Sequence, residues 1–209
     1  THPAAWEIAL RLQLAVVARQ AWLLGRGIEP LISLSDGRTF RIYVRLKKGL
    51  SKQEESKMGF LACCEKCGAQ GAQTLLKLTS WEKCLCSHGS ESLTINGPLW
   101  LGPLQSGDFL TKTKRLYKEF SLPIVEETAK LIDRLRSDIG LPLFSWSPND
   151  LAKLVPLKSP PSLDSLVLSL REEGYQAFRS SVVPGHFRTN ASVSELLRIC
   201  DEKFIKGFK

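Results

Sequence analysis

Apolar side chains cover most of a helical circumference over the first 24 residues, with no alternation. Pro3 suits a first-turn position and Gly25 with Gly27 supplies a stop, so the pattern predicts a helix over 3–24 that is packed on more than one side. The period then drops to two. Residues 31–35 and 39–47 read as strands, with Phe40, Ile42, Val44 and Leu46 on one face and Arg41, Tyr43, Arg45 and Lys47 on the other. Asp36-Gly37 between them is a two-residue hairpin turn. The basic face suits either a phosphate backbone or the solvent side of an edge hairpin. Residues 48–59 are polar and read as a loop. Short strand-like runs follow at 60–63, 74–78 and 92–95. The stretch 97–104 is too rich in Gly and Pro for a regular element and too apolar for a solvated loop, so it should pack against a neighbour. Residues 108–119 read as a solvated helix.

Beyond residue 122 the pattern predicts a helix over 126–139, a short strand over 141–144 and a helix over 148–155 capped by Ser147. A helix over 162–173 ends at Gly174. Strands at 175–180 and 186–189 flank Val183-Pro184-Gly185. A final helix spans 192–203, with Ser192 and Glu195 at capping-box spacing. Helix, strand, helix, helix, hairpin is the order of a winged helix, whose third helix and wing commonly meet nucleic acid and in other cases protein. The fold class is therefore α+β, divided at 1–59, 60–96, 97–121 and 122–209.

Five of the six cysteines fall within 24 residues: Cys63, Cys64, Cys67, Cys84 and Cys86, with His88 just beyond. Two close pairs separated by sixteen residues have the layout of a zinc ribbon. Cys64, Cys67, Cys84 and Cys86 are the candidate ligands of one structural zinc. The Cys-x-Cys pair is tight, which leaves His88 as an alternate for one member. Cys63 reads as a neighbouring buried thiol and Cys200 as core. Four protein ligands make a closed site that holds structure and does not activate water.

The formal charge of +8 is uneven. Residues 1–119 hold 17 Lys+Arg against 10 Asp+Glu, and residues 120–209 hold 12 against 11. A basic half suits a polyanionic partner. The apolar stretch at 8–24 is interrupted by Arg11 and Arg19 and falls short of the roughly 20 residues that span a bilayer, so a soluble intracellular protein with reduced thiols is expected. No glycine-rich nucleotide loop follows a strand, no nucleophile elbow is present, and His2, His88 and His186 lack carboxylates at suggestive spacing. The residues describe a binding region with no catalytic set.

Three segments resemble a known family. They are Trp6-Glu7-Ile8-Ala9-Leu10-Arg11-Leu12 with Val17-Ala18-Arg19, Gly27-Ile28-Glu29 and 40–49; the run 97–104; and Leu141-Pro142-Leu143-Phe144 with Leu170-Arg171-Glu172-Glu173-Gly174-Tyr175, Arg179, Pro184 and Arg188-Thr189. Together they resemble the C-terminal part of the tRNA guanosine N2-dimethyltransferases. The resemblance implies an enzyme that joins methyl groups from S-adenosylmethionine to the exocyclic N2 of a tRNA guanosine at the junction of the D stem and anticodon stem. It implies that 1–59 closes a Rossmann-type methyltransferase domain whose cofactor and catalytic motifs lie before Thr1, so that this chain alone methylates nothing. Its partners would be tRNA and its own N-terminal methyltransferase domain, with no membrane, in the nucleus or nucleolus. Arg179, Arg188, His186, Lys153, Lys158 and Arg171 become the candidate RNA contacts. Ser180-Ser181 and His186-Phe187-Arg188-Thr189 depart from the family's Thr-His and Gly-Ile-Lys-Thr, and in this the chain resembles a divergent animal, dimethyltransferase-like branch. The competing reading is a zinc-ribbon and winged-helix protein-interaction module of an inactive paralogue.

Overall fold

The computed structural model describes residues 5–35, 38–86, 89–91, 93–120, 126–143, 145–155, 157 and 159–205. Helix α1 (Ala5–Leu23) is the spine of the first half. Gly25, at φ 65°, ends it: the Gly25 N–H donates to the Trp22 carbonyl and the Arg26 N–H to that of Ala21, each at 2.9 Å. This pair of bonds satisfies carbonyls that the helix end would otherwise leave open. The chain then forms the antiparallel ribbon β1 (Ile28–Ser35) and β2 (Phe40–Leu46), paired from Ile28–Leu46 to Ser35–Phe40. The predicted turn at Asp36-Gly37 lies outside the described residues. Register slips between Pro30 and Ile32, where Pro30 has no N–H to give. Leu10, Leu14, Ala15, Ala18 and Ala21 of α1 bury against Ile28, and Phe40, Ile42 and Val44 pack beside them. The fourth residue assigned to that strand face, Leu46, is exposed.

A second antiparallel sheet has the order β4-β3-β7, from β3 (Met58–Cys63), β4 (Gln70–Thr74) and β7 (Thr94–Trp100). A small ribbon, β5 (Cys84–Cys86) with β6 (Gly89–Glu91), lies between β4 and β7 in sequence. Two expectations shift here. The run at 74–78 is not a strand: pairing of Thr74 with Gly59 ends β4, and Leu75–Lys77 forms a 3-10 turn. The Gly/Pro-rich run at 97–104 is half strand, since β7 continues through the cis Gly97-Pro98 bond to Trp100. Beyond it the chain wraps Trp100. Its indole N–H donates to the Pro103 carbonyl at 3.0 Å, and a Cβ on Gly102 would come within 2.8 Å of the ring. Gln105 then takes both backbone groups of Ser33, accepting from its N–H at 3.1 Å and donating to its carbonyl at 2.7 Å. This side chain serves β1 as a neighbouring strand would.

Helix α2 (Gly107–Glu119), capped by Ser106, packs on α3 (Glu126–Ser137). Leu110, Ile132 and Leu135 form a cluster with Ile32 and Leu34 of β1. This cluster crosses the boundary expected at 122, so α3 rests on the first half. The remaining elements are β8 (Ser145–Trp146), α4 (Pro148–Leu154), α5 (Leu163–Glu172), β9 (Ala177–Arg179), β10 (Phe187–Thr189) and α6 (Val193–Phe204). The strands form the sheet β8-β10-β9, and the three helices bury Leu151, Leu166, Leu170, Leu196 and Ile199 around Phe187. Ser147 and Ser192 each accept a backbone N–H at their helix start, as their positions predicted, and Ser162 does the same for α5. The strand expected at 141–144 falls later, at Ser145–Trp146, because the Pro142 and Leu143 carbonyls are taken by buried guanidinium groups.

Candidate functional site

The cysteines converge as their spacing requires. Strand β3 delivers Cys63 and Cys64 to a tight turn in which the Gly68 N–H donates to the Cys64 carbonyl at 2.9 Å and the Cys64 N–H to that of Ala69 at 2.8 Å. Gly68 sits at φ 75°, which favours glycine. The Ala69 N–H points at Cys67 Sγ, 3.5 Å away. Ribbon β5–β6 brings Cys84 and Cys86 opposite. The four Sγ atoms of Cys64, Cys67, Cys84 and Cys86 lie within 4.8 Å of one another, and Cys67 Sγ is 3.5 Å from Cys84 Sγ.

A disulfide requires about 2.05 Å, and all six cysteines are free. A tetrahedral zinc with Zn–S near 2.3 Å needs sulfurs about 3.8 Å apart. The donor set therefore fits a closed four-thiolate site. His88, the alternate ligand, lies outside the described residues. Burial opposes ionisation of Cys64, but the N–H groups of Cys67 and Lys66 and the Cys67 and Cys84 thiols outweigh it and lower its pKa. Cys63 packs instead with Ile8, Leu61 and Leu99, and burial pushes its thiol up to about 12. Cys200 is buried in the C-terminal core, as expected.

The knuckle also touches the C-terminal unit. A Cβ on Gly68 would lie 3.2 Å from the Trp146 ring and 3.6 Å from Leu154. Beside it, Lys66, Thr94 and Asn96 face Asp150 and Lys153 across a cleft of about 620 Å³.

The candidate RNA contacts separate into two groups. Arg179 is exposed and pairs with Asp164, its Nε donating at 2.7 Å, and these bonds hold the Asp164 carboxyl below its usual range. Arg171 is exposed and lies 4.8 Å over the Phe178 ring, with Nε donating to the Ala177 carbonyl at 2.7 Å. Lys153 is exposed and bonds Asp150 at 2.9 Å, and His186 is half-buried with Nδ1 at 2.9 Å from the Pro184 carbonyl. Lys158 lies outside the described residues.

Arg188 is different, and its assignment as a surface contact is corrected. It is 3% exposed, 3.0 Å from Glu7 Oε2 and 3.3 Å from Asp138 Oδ1, and it donates to the Pro142 carbonyl at 2.8 Å. Glu7 also pairs with Arg11 at 2.7 Å, and Arg11 donates to the carbonyls of Trp100, Gly102 and Leu143. Asp138 accepts from the Ser181 N–H and hydroxyl. Two positive and two negative groups thus close a buried network between α1, the Trp100 bend and β10. Burial raises the pKa of Asp138 against the pull of Arg188. For Arg188, burial works the other way, and Glu7 with Asp138 overcomes it.

Part of the loop between β9 and β10, read as the wing, is buried too, while Pro184 and Gly185 are exposed. Val182 and Val183 are 1% and 3% exposed and belong to the core around α1, and the Ser35 N–H donates to the Val182 carbonyl at 2.9 Å. The pairing of Glu7 with Arg11 and Arg188 is not among the contacts expected from the sequence. The signal of Glu7 and Arg11 was an acid and a base four apart on a helix face otherwise reserved for Leu and Ala.

A family model described as TRM, N2,N2-dimethylguanosine tRNA methyltransferase, matches residues 1–201. The chain belongs to this family. Among its dimethyltransferase relatives, the tRNA (guanine(26)-N(2))-dimethyltransferase of Methanobrevibacter smithii is 27% identical over 195 residues, covering 92% of this chain and 50% of that protein. The tRNA (guanine(26)-N(2))-dimethyltransferase of Pyrococcus furiosus is 29% identical over 191 residues, covering 88% and 46%. The fold is also that of Trm1 from Pyrococcus horikoshii, solved with S-adenosyl-L-methionine: TM-score 0.74 at 22% identity, over 92% of this chain and 49% of that one. The chain spans about half the length of the curated relatives it matches. No helix among the described residues is long and apolar enough to cross a membrane.

Proposed function

We propose that this chain is the tRNA-holding C-terminal half of an S-adenosylmethionine-dependent tRNA guanosine N2-methyltransferase. The observation that carries the reading is a family match over nearly all of this chain that covers only half of each relative. The cofactor and catalytic motifs would sit in the parent's N-terminal methyltransferase domain, with α1, β1 and β2 closing that domain's sheet. The target would be a guanosine at the junction of the D stem and anticodon stem, the parent a divergent animal member, and the compartment the nucleus or nucleolus. Zinc, held by Cys64, Cys67, Cys84 and Cys86, would fix the knuckle against Trp146. We read β8 to α6 as a winged helix whose wing tip is spent on the interface with α1, leaving Arg171, Arg179, Lys153, His186 and Lys158 as its RNA contacts.

The test is binding of a tRNA transcript at two salt concentrations by the wild-type chain and by R171A/R179A. Removing one phosphate contact should flatten the log–log salt dependence by about 0.7–0.9. Equal affinities and equal slopes would remove these two residues from the role.

A second reading, a protein-interaction module, is favoured by one feature. The exposed stripe of α5 is Asp164, Ser165, Leu168, Arg171 and Glu172, two acids against one base. Such a stripe suits a protein partner better than a phosphate backbone. Wild-type protein that binds no tRNA at low salt would select this reading.

A further inference from the structure

The exposed basic face of β2 divides. Arg45 of β2 is tied to Glu29 at 3.0 Å, and Arg41 also has a partner. The Lys47 side chain has no partner among the described residues, and it stands at the open end of the ribbon. There the Lys47 N–H donates to the Gly27 carbonyl at 2.8 Å and the Gly27 N–H to that of Gly49 at 2.9 Å. These two bonds stitch the 24–27 turn to the 47–50 turn. Arg26, Lys47 and Lys48 are thereby gathered at one corner, with Lys52 on the loop that follows.

All four side chains are exposed, and among the described residues none has an ion-pair or hydrogen-bond partner. The nearby Glu54 does not neutralise them. It is buried, accepting from the Ile28 N–H at 3.3 Å and pairing with Lys57 at 3.1 Å. Glu55 is the other acid on this loop, so the corner keeps an excess of positive charge. Elsewhere, exposed Arg179, Lys153, Lys130 and Arg198 are paired with acids, while Lys112 and Arg115 of α2 have no partner among the described residues.

Two further observations point to an anion. The N–H groups of Lys48, Gly49 and Leu50 have no protein acceptor among the described residues. Gly25 and Gly49, at φ 65° and 77°, have nothing within 4 Å of where a Cβ would stand. The turns are therefore bare, and an oxygen can approach the main chain itself. Successive free N–H groups in such a turn make a concavity that binds anions, and four unpaired cations around it extend the attraction along a chain of them.

We infer that this corner, Arg26, Lys47, Lys48 and Lys52 around the Gly49 turn, is a contact surface for an RNA phosphate backbone, separate from the C-terminal unit. The inference rests on the proposal that the chain holds tRNA. Exposed Leu23, Leu24, Leu46 and Leu50 border the corner, and an acidic amphipathic protein segment would need them, whereas phosphates would not.

The experiment measures tRNA-transcript affinity against salt for four proteins: wild type, R26A/K47A/K48A/K52A, L23S/L24S and R171A/R179A. Circular dichroism checks that each is folded. The corner variant should flatten the log–log salt slope by about 3 and weaken binding at least about tenfold at 0.15 M salt, with L23S/L24S unchanged. Wild-type binding that only R171A/R179A weakens would overturn the corner and leave the tRNA reading standing. Wild type that binds no tRNA would overturn both. Binding displaced by poly-glutamate and lost in L23S/L24S would assign the corner to an acidic protein segment and overturn the RNA assignment.

Discussion

Replacing Arg188 with Ala should destabilise the chain by about 3–5 kcal/mol, the usual cost of removing one partner from a buried ion pair. The deletion leaves Glu7 with Arg11 alone, Asp138 with Ser181 alone, and the Pro142 carbonyl without its donor at 2.8 Å. At an effective dielectric near 20, charges 3.0 Å apart, as Arg188 and Glu7 are, attract by about 5 kcal/mol before desolvation is counted. Relief of the arginine's own burial offsets part of this, and the orphaned carboxylates add to it. For a chain of this length the loss corresponds to a fall in Tm of about 10 °C.

The pH dependence has a definite sign. Asp138 already has a raised folded-state pKa from burial, and removing Arg188 raises it further. A carboxyl with a higher pKa folded than unfolded binds more protons in the native state, so its stability is present at low pH and lost as pH rises through the folded value. R188A should therefore be closest to wild type below about pH 4 and furthest from it at neutral pH. The added loss at neutral pH is about 1.4 kcal/mol for every tenfold weakening of the Asp138 acid. Urea unfolding followed by tryptophan fluorescence between pH 4 and 8 measures it. In a double-mutant cycle, E7Q and R188M should couple by about 2 kcal/mol or more. A loss below about 1 kcal/mol, or a coupling near zero, would refute the view that this network joins the two halves.

Two further outcomes follow from the packing around the cysteines. One zinc per chain is expected by elemental analysis after purification without chelator, abolished in C64S and C84S and retained in C63S; equal metal in all three variants would place the ligands elsewhere. Gly59→Ala should cost about 3 kcal/mol, because a Cβ there would fall 2.1 Å from the Gln73 carbonyl oxygen in the centre of the β4-β3-β7 sheet, and chemical denaturation within about 1 kcal/mol of wild type would contradict it.

Local features were the legible ones. Ser147 and Ser192 sit at helix starts and cap them, because capping depends on residues two or three apart. The cysteine quartet was readable for a similar reason, since ligand spacing is set by short turns. The tertiary partners of charged residues were not readable. Arg188 looked like a wing cation because its partners, Glu7 and Asp138, lie 181 and 50 positions away, and no local pattern joins them. The wing tip carried a cue: Val182 and Val183 are two apolar branched residues in a loop, more than a solvated turn needs. Nothing in the Gly/Pro run showed that β7 would continue to Trp100, since a Pro normally argues against a paired strand.

The Glu7–Arg188 contact also sets a schedule for the newborn chain. At roughly 5–20 residues per second, α1 leaves the ribosome about 10–35 s before the arginine that neutralises it. Until the Trp100 bend emerges, Glu7 and Arg11 have only each other, and up to residue 182 the apolar side of α1 still lacks the Val182-Val183 tip that helps to cover it. Completion of the first half therefore waits on β10, the last strand among the described residues. A chain arrested before residue 180 would present to chaperones a helix whose covering still lacks Val182 and Val183.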